Sequence, residues 1–346
     1  MSDAPQIELG LTTFAEVLPG STPGTRLREV VAEAKLADEL GLDVYGVGEH
    51  HRADMAASTP EIVLATIAGA TERIRLTSAV TVLSSADPVR TYQNFVTLDL
   101  LSGGRAELMA GRGSFVESFP LFGYSLGDYD ELFTEKLQLL LALRDQESVT
   151  WSGRFRPALQ DVTVHPRPEG HPLPVWLAVG GTPQSVVRAG TLGLPMALAI
   201  IGGQPAAFVP HADLYRRALE QSGHDQATPL AVHSHGFVAT DETRARAEFL
   251  PGYRATFAAI GRERGWPPMT DRQVEGLIGP EGALFFGHPE RVADKIIALH
   301  DRLGIQRFEL HTAHVDHAAT MTSIELFATR VRPLVAQRLQ ERAAQR

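Results

Sequence analysis

Residues 46–52 read GVGEHHR and set Glu49 beside two adjacent imidazoles, His50 and His51, at the end of a short apolar run. A helical stretch is expected to begin near Thr59, so the triplet falls where a buried strand opens into a loop. In a repeating βα chain, chemistry is usually built at that end of the strand. Neighbouring side chains of a strand point to opposite sides, so His50 and His51 should not share one role if strand geometry persists that far. Taken alone, a glutamate with two histidines could bind a metal, transfer protons or satisfy backbone groups.

Three further segments carry candidate chemistry. Residues 179–185, VGGTPQS, read as a strand end, a two-glycine turn and a helix start. Thr182 is expected at the N-cap and Pro183 at the first helical position. The free amides and positive dipole end of such a helix form an anion site. Gly180 and Gly181 let the backbone approach a phosphate, and Thr182 and Ser185 add hydroxyls. The same sequence also suits an ordinary capped turn. Gly111-Arg112-Gly113 follows another apolar run, and an arginine there can grip a phosphate with a bidentate fork or form a loop salt bridge. In residues 77–88, TSAVTVLSSADP, the small Ser78 and Ala79 either leave room for a flat ring or pack a strand tightly. Residues 311–317, HTAHVDH, space His311, His314 and His317 by three. That spacing shares a face only on a helix, and this segment begins in a strand, so lining the mouth or facing solvent is expected rather than metal ligation. The dinucleotide fingerprint fails twice: His51 and Val116 stand where a third glycine belongs, and no Walker A or HExxH sequence occurs.

The elements that position these residues alternate. Strands are expected over 7–14, 43–48, 74–83, 106–111, 175–179, 195–201, 230–239 and 307–311. Helices are expected over 25–40, 60–70, 88–101, 130–143, 182–192, 205–221, 289–303 and 323–342. Residues 241–264 read as helical but split by Pro251-Gly252. Residues 149–155 read as a small hairpin turning at Ser152-Gly153, and 266–286 as irregular. Eight βα units favour an α/β fold closed as a (β/α)8 TIM barrel, with insertions at 113–129, 150–171 and about 252–287. No linker or short repeat interrupts the pattern, so one domain over 1–346 is the simplest organisation.

Composition narrows the classes further. Lys plus Arg is 32 and Asp plus Glu 41, giving a formal charge of −9. An acidic chain without a basic run is a poor candidate for nucleic acid or an anionic membrane. The absence of cysteine excludes disulfides, thiolate metal sites and cysteine nucleophiles and fits a reducing cytoplasm. Residues 1–10, MSDAPQIELG, show no basic segment followed by an apolar core, so no signal peptide is expected. The apolar runs are too short to span a bilayer.

Taken in order, ADELGLDVYGVGEHH, SAVTVLSSADPVRTYQNFVTLDLLSGGRAELMAGRGS, VGGTPQSVVRAGTLGLPMALAIIGG and SIELFATRVRP resemble the bacterial luciferase-like, flavin-dependent monooxygenases over nearly the whole chain. The resemblance implies a (β/α)8 barrel with reduced FMN across its C-terminal mouth. It implies His50 as the active-site histidine, an acid/base or hydrogen-bonding group because the free pKa of histidine lies near working pH, with Glu49 orienting a histidine or forming an ion pair. Ser78-Ala79 matches the place of a non-prolyl cis peptide behind the ring. Gly111 and Arg112, with Gly180, Gly181, Thr182 and Ser185, match the phosphate site. The implied reaction oxygenates a small apolar substrate with O2 through a C4a-hydroperoxyflavin, the reduced FMN coming from a separate flavin reductase. Alternatives within the resemblance are a deazaflavin (F420)-dependent hydride transferase and a flavin-binding protein without turnover. A homo-oligomer is implied, with Ile62, Val63 and Ile67 serving an interface or the core. HTAHVDH replaces the glycine-rich turn of many relatives, and the 113–129 insertion has no clear match.

Overall fold

The computed structural model describes residues 6–113 and 115–345. Residues 1–5, on which the leader reading rests, and Ser114 of the GRGS motif lie outside the described residues. Eight parallel strands run β1 Glu8–Thr13, β2 Val44–Val47, β3 Arg75–Ser78, β4 Ala106–Gly111, β5 Val175–Val179, β6 Met196–Ala199, β7 Leu230–Val238 and β8 Arg307–His311. Each pairs with the next, and β8 pairs with β1, Thr12 opposite His311, so the sheet closes. The expected (β/α)8 barrel is therefore the observed fold.

Helices cover the outside: α1 Pro23–Glu39, α2 Pro60–Ala68, α3 Pro88–Ser102, α4 Tyr129–Asp145, α5 Pro183–Thr191, α6 Val209–Gln221, α7 Pro289–Leu303 and α8 Arg332–Ala344. Proline opens the first turn of α1, α2, α3, α5 and α7, where its missing N–H has no intrahelical partner to lose. Thr22 caps the Thr25 amide of α1, and Asp87 caps the Val89 and Arg90 amides of α3. The main core lies between strands and helices, with Val30, Leu64, Phe95, Val186 and Val292 all buried. Inside the barrel, Met109, Trp176, Ala197 and Ala231 form a second packed layer. Below it Arg307 bonds both oxygens of Glu107 at 2.6 and 2.9 Å and stacks its guanidinium 4.2 Å from the Trp176 ring centre. Among the described residues, no helix is long and apolar enough to cross a membrane.

Five local expectations need correction. The run 74–83 is not one strand: β3 ends at Ser78, a cis Ala79–Val80 peptide turns the chain, and Thr81–Val82 pairs again with Ala110 and Gly111. The hairpin near 149–155 pairs Val149–Trp151 with Leu159–Val162, because the Arg154 and Phe155 amides donate to Glu135 instead. Glu242–Arg264 is one continuous helix despite Pro251, which lies on its exposed side where a lost hydrogen bond is replaced by water. The final helical stretch starts early, at His317, because Asp316 accepts from the Ala319 amide as N-cap; it continues from His317–Leu326 through a π-helical turn into α8. Within 266–286, Asp271–Ile278 is helical, and Phe285–Gly287 adds a short strand beside the end of β7.

Candidate active site

His50 leaves β2 in the loop that follows it. Its ring is buried, 4.7 Å from the Phe14 ring and 5.4 Å from Phe115, both edge-on. Phe115 is held under the guanidiniums of Arg52, at 4.5 Å, and Arg264, at 5.0 Å. Burial pushes the His50 imidazole down to about 4; Glu16 opposes this and His311 adds to it. His50 is thus neutral at working pH, a form that can still donate one hydrogen bond and accept another.

Glu49 points elsewhere. One carboxylate oxygen meets His51 Nε2 at 2.9 Å, and the other accepts the Val82 amide at 2.8 Å. His51 lies edge-on to Phe122 at 5.1 Å. The two histidines therefore face different neighbours, although both lie in the loop beyond β2, where strand alternation no longer applies. Glu49 orients His51 and anchors the chain just beyond the cis bond.

The ring-bed residues also converge. The cis peptide is Ala79–Val80, one bond beyond the expected Ser78-Ala79. Ser78 Oγ is taken up by β4, donating to the Met109 carbonyl and accepting its amide, both at 3.1 Å. A Cβ on Gly111 would come within 2.5 Å of Val80, and one on Gly48 within 2.5 Å of Phe14 and 2.9 Å of the Ala79 carbonyl. These glycines are where the backbones of β2 and β4 let the bed close up.

Arg112 and Thr182 meet from consecutive βα units. Arg112 Nη2 donates to Thr182 Oγ1 at 3.3 Å, and Thr182 Oγ1 donates to Ser185 Oγ at 2.8 Å. Arg112 Nη1 pairs with the exposed Asp130 at 2.6 Å. Thr182 occupies the N-cap of α5, as expected; its side chain caps no amide, Pro183 has no N–H to cap, and the Ser185 amide donates to the Thr182 carbonyl at 3.0 Å. A Cβ on Gly180 would meet nothing, and Gly181 has φ +106°. Behind them Arg188 Nη1 is buried with no hydrogen-bond partner among the described residues, while its Nη2 donates to Thr134 at 3.0 Å. A double-ended cation cluster, hydroxyls and a helix start in one place fit a phosphate.

Four polar residues in the mouth escaped sequence reasoning: Thr12, Glu16, His233 and His235. Thr12, His233 and His235 are buried with His311 and His314. His233 and His235, two apart on β7, share one strand face, and that spacing was the available signal. Burial holds His233 down to about 3 and His314 down to about 4. Of the HTAHVDH segment, His311 bonds Glu16 at 2.7 Å, His314 lies 3.1 Å from Thr256, and His317 turns away to Glu33 at 3.0 Å. Among the described residues, no three such side chains converge as metal ligands.

A family model of luciferase-like monooxygenases matches residues 7–306. The chain is 29% identical over 273 residues to a 4-hydroxyprotoasukamycin monooxygenase of Streptomyces nodosus subsp. asukaensis, covering 73% of this chain and 70% of that protein. It is 31% identical over 163 residues to an F420-dependent glucose-6-phosphate dehydrogenase of Amycolatopsis mediterranei, covering 44% of this chain and 48% of that one. In fold it resembles the FMN complex of the oxygenating constituent of 3,6-diketocamphane monooxygenase from Pseudomonas putida, a type II Baeyer-Villiger monooxygenase. The TM-score is 0.79 at 20% identity, over 95% of this chain and 98% of that one. The chain belongs to the luciferase-like monooxygenase family of oxidoreductases.

Proposed function

We propose that this chain, working as one barrel domain, uses reduced FMN from a separate flavin reductase, together with O2, to oxygenate a small apolar organic molecule. When bound, the reduced flavin supplies the activation of O2. The protein's own residues bind, orient and shield. Arg112, Thr182, Ser185 and the backbone of Gly180 and Gly181 take the phosphate. Gly111, Ser78 and Ala79 form the bed behind the ring. His50, a neutral imidazole, has one N–H and one lone pair on different ring nitrogens and offers one of them to the reacting edge. Phe14 and Phe115 keep water from that edge.

The meeting of Arg112 with Thr182 across two loops, in front of an Arg188 nitrogen that has no hydrogen-bond partner among the described residues, carries this reading. A titration following flavin fluorescence tests it: FMN should bind more tightly than riboflavin, which lacks the phosphate, and more tightly than F420. Preferred binding of F420 would replace it with deazaflavin-dependent hydride transfer, a reading favoured by the Amycolatopsis relative. The exposed Asp130 carboxylate beside Arg112 counts against that longer acidic tail. We also propose a homo-oligomer. Of the three α2 residues named from the sequence, Ile67 is buried in the core, Val63 is partly buried, and Ile62 is 66% exposed.

A further inference from the structure

The barrel mouth contains a hydrogen-bonded chain that the oxygenation reading leaves unused. Glu16 meets His311 Nε2 at 2.7 Å. The other nitrogen of that ring, Nδ1, is 3.3 Å from Thr12 Oγ1, and the same hydroxyl is 3.1 Å from His233 Nδ1. His233 Nε2 is buried and unpartnered among the described residues. His233 lies opposite Ala199 of β6, and Ala199, Ala178 and Val80 are only partly buried, so the hollow of the mouth reaches this depth. At the other end Glu16 lines a cavity of about 380 Å³ between the loops after β1 and β8, with Arg26, Thr312 and His317.

The polarity of these bonds fixes the protons. Glu16 accepts, so His311 carries a proton on Nε2. In the neutral ring, Nδ1 then accepts the Thr12 hydroxyl proton. The Thr12 oxygen accepts from His233 Nδ1, and His233 Nε2 is left with its lone pair. A proton arriving at that lone pair reverses every bond. His233 gives its Nδ1 proton to Thr12, and Thr12 gives its own to His311 Nδ1. The positive charge comes to rest on His311 against the Glu16 carboxylate, rather than unpaired on the deeply buried His233.

We propose that His233, Thr12, His311 and Glu16 form a proton wire whose inner end, His233 Nε2, takes the proton of an acidic hydroxyl on the substrate, a phenol or an enol. This rests on the oxygenation reading and narrows its substrate to an apolar ring or chain carrying one such hydroxyl. A buried lone pair calls for a donor. An aliphatic alcohol is too weak an acid for an imidazole, whereas a phenol, like tyrosine near 10, is within reach. The Phe14 ring, stacked 8° from parallel on His233 at 5.9 Å, gives an aromatic wall beside that atom. The step breaks the substrate O–H bond, forms N–H at His233 Nε2 and leaves an oxyanion on the substrate. His50, His235 and His314 also face the wire; burial keeps all three neutral, so they do not compete for the proton.

Two measurements test the wire. Nitrogen-15 spectra of histidine-labelled protein should show His233 as the Nδ1–H tautomer, and Thr12→Val, which keeps the shape and removes the hydroxyl, should abolish that preference. In FMN-loaded protein, the fluorine-19 shift of bound 4-fluorophenol should be that of the phenolate at a pH at least about one unit below its free pKa. Thr12→Val and His311→Gln should return it to the neutral phenol and weaken binding at that pH by about tenfold. An Nε2–H tautomer in the wild type overturns the proposal, as does a 4-fluorophenol that fails to bind or never ionises, or one unaffected by both substitutions. FMN binding is measured in the same samples. Its loss in the wild type overturns the oxygenation reading while the tautomers still judge the wire; intact FMN binding with unchanged fluorine spectra overturns the wire alone.

Discussion

Arg112 keeps one arm on Asp130 and the other on Thr182, so it is already oriented before any anion arrives. Arg112→Met should weaken FMN about 10- to 100-fold, the value of one charge-assisted bond, and leave riboflavin binding unchanged; fluorescence titration of the two flavins reads this directly. Because burial holds His50 down to about 4, the pH profile of the reaction should show no inflection from this residue between pH 6 and 8, and His50→Gln should not alter the profile there. Arg112, Thr182 and Ser185 were legible because glycine turns and a helix start leave a local signature. Thr12 and Glu16 were not. Thr12 is an unremarkable strand residue until barrel closure brings it against His311, 299 positions away.

At the scale of elements, two contacts hold the mouth together. The helix Glu242–Arg264 crosses close to the loop after β8 at Gly252, where any Cβ would collide with the His314 carbonyl. Gly252→Ala should therefore lower Tm and change the environment of His314, seen by calorimetry and histidine NMR, although alanine normally favours a helix. The same helix ends with Glu263 gripping Arg52 at 2.7 and 2.9 Å, next to His50. The strands and most helices were readable from apolar periodicity and proline starts. The broken β3 was not, because its residues read as one β-rich run and the interruption depends on Glu49 holding the Val82 amide. Pro251 misled for the opposite reason: a local rule was applied where solvent on the exposed face removes the penalty.

Over the whole molecule, four buried imidazoles and one buried carboxyl set the response to acid. His50, His233, His235 and His314 all sit below their usual 6.5, so the unfolded chain binds more protons than the folded one as pH falls below 6.5. Stability is therefore lost as pH falls from 6.5 toward 4, and Tm should drop by several degrees across that window. Glu309 acts in the reverse sense. Burial pushes its carboxyl up to about 7 despite Arg307 Nη1 at 3.7 Å, and neither oxygen has a hydrogen-bond partner among the described residues. Its contribution declines as pH rises from 4.5 to 7, so Glu309→Gln should be more stable than wild type at pH 8 and equal to it at pH 4, with a steeper acid slope between. The layer that Glu309 shares with Arg307, Glu107 and Trp176 has one more consequence. It stoppers the cylinder from beneath, so under the proposed reaction every molecule that comes or goes must pass the mouth, and that shared route sets an order on arrivals and departures.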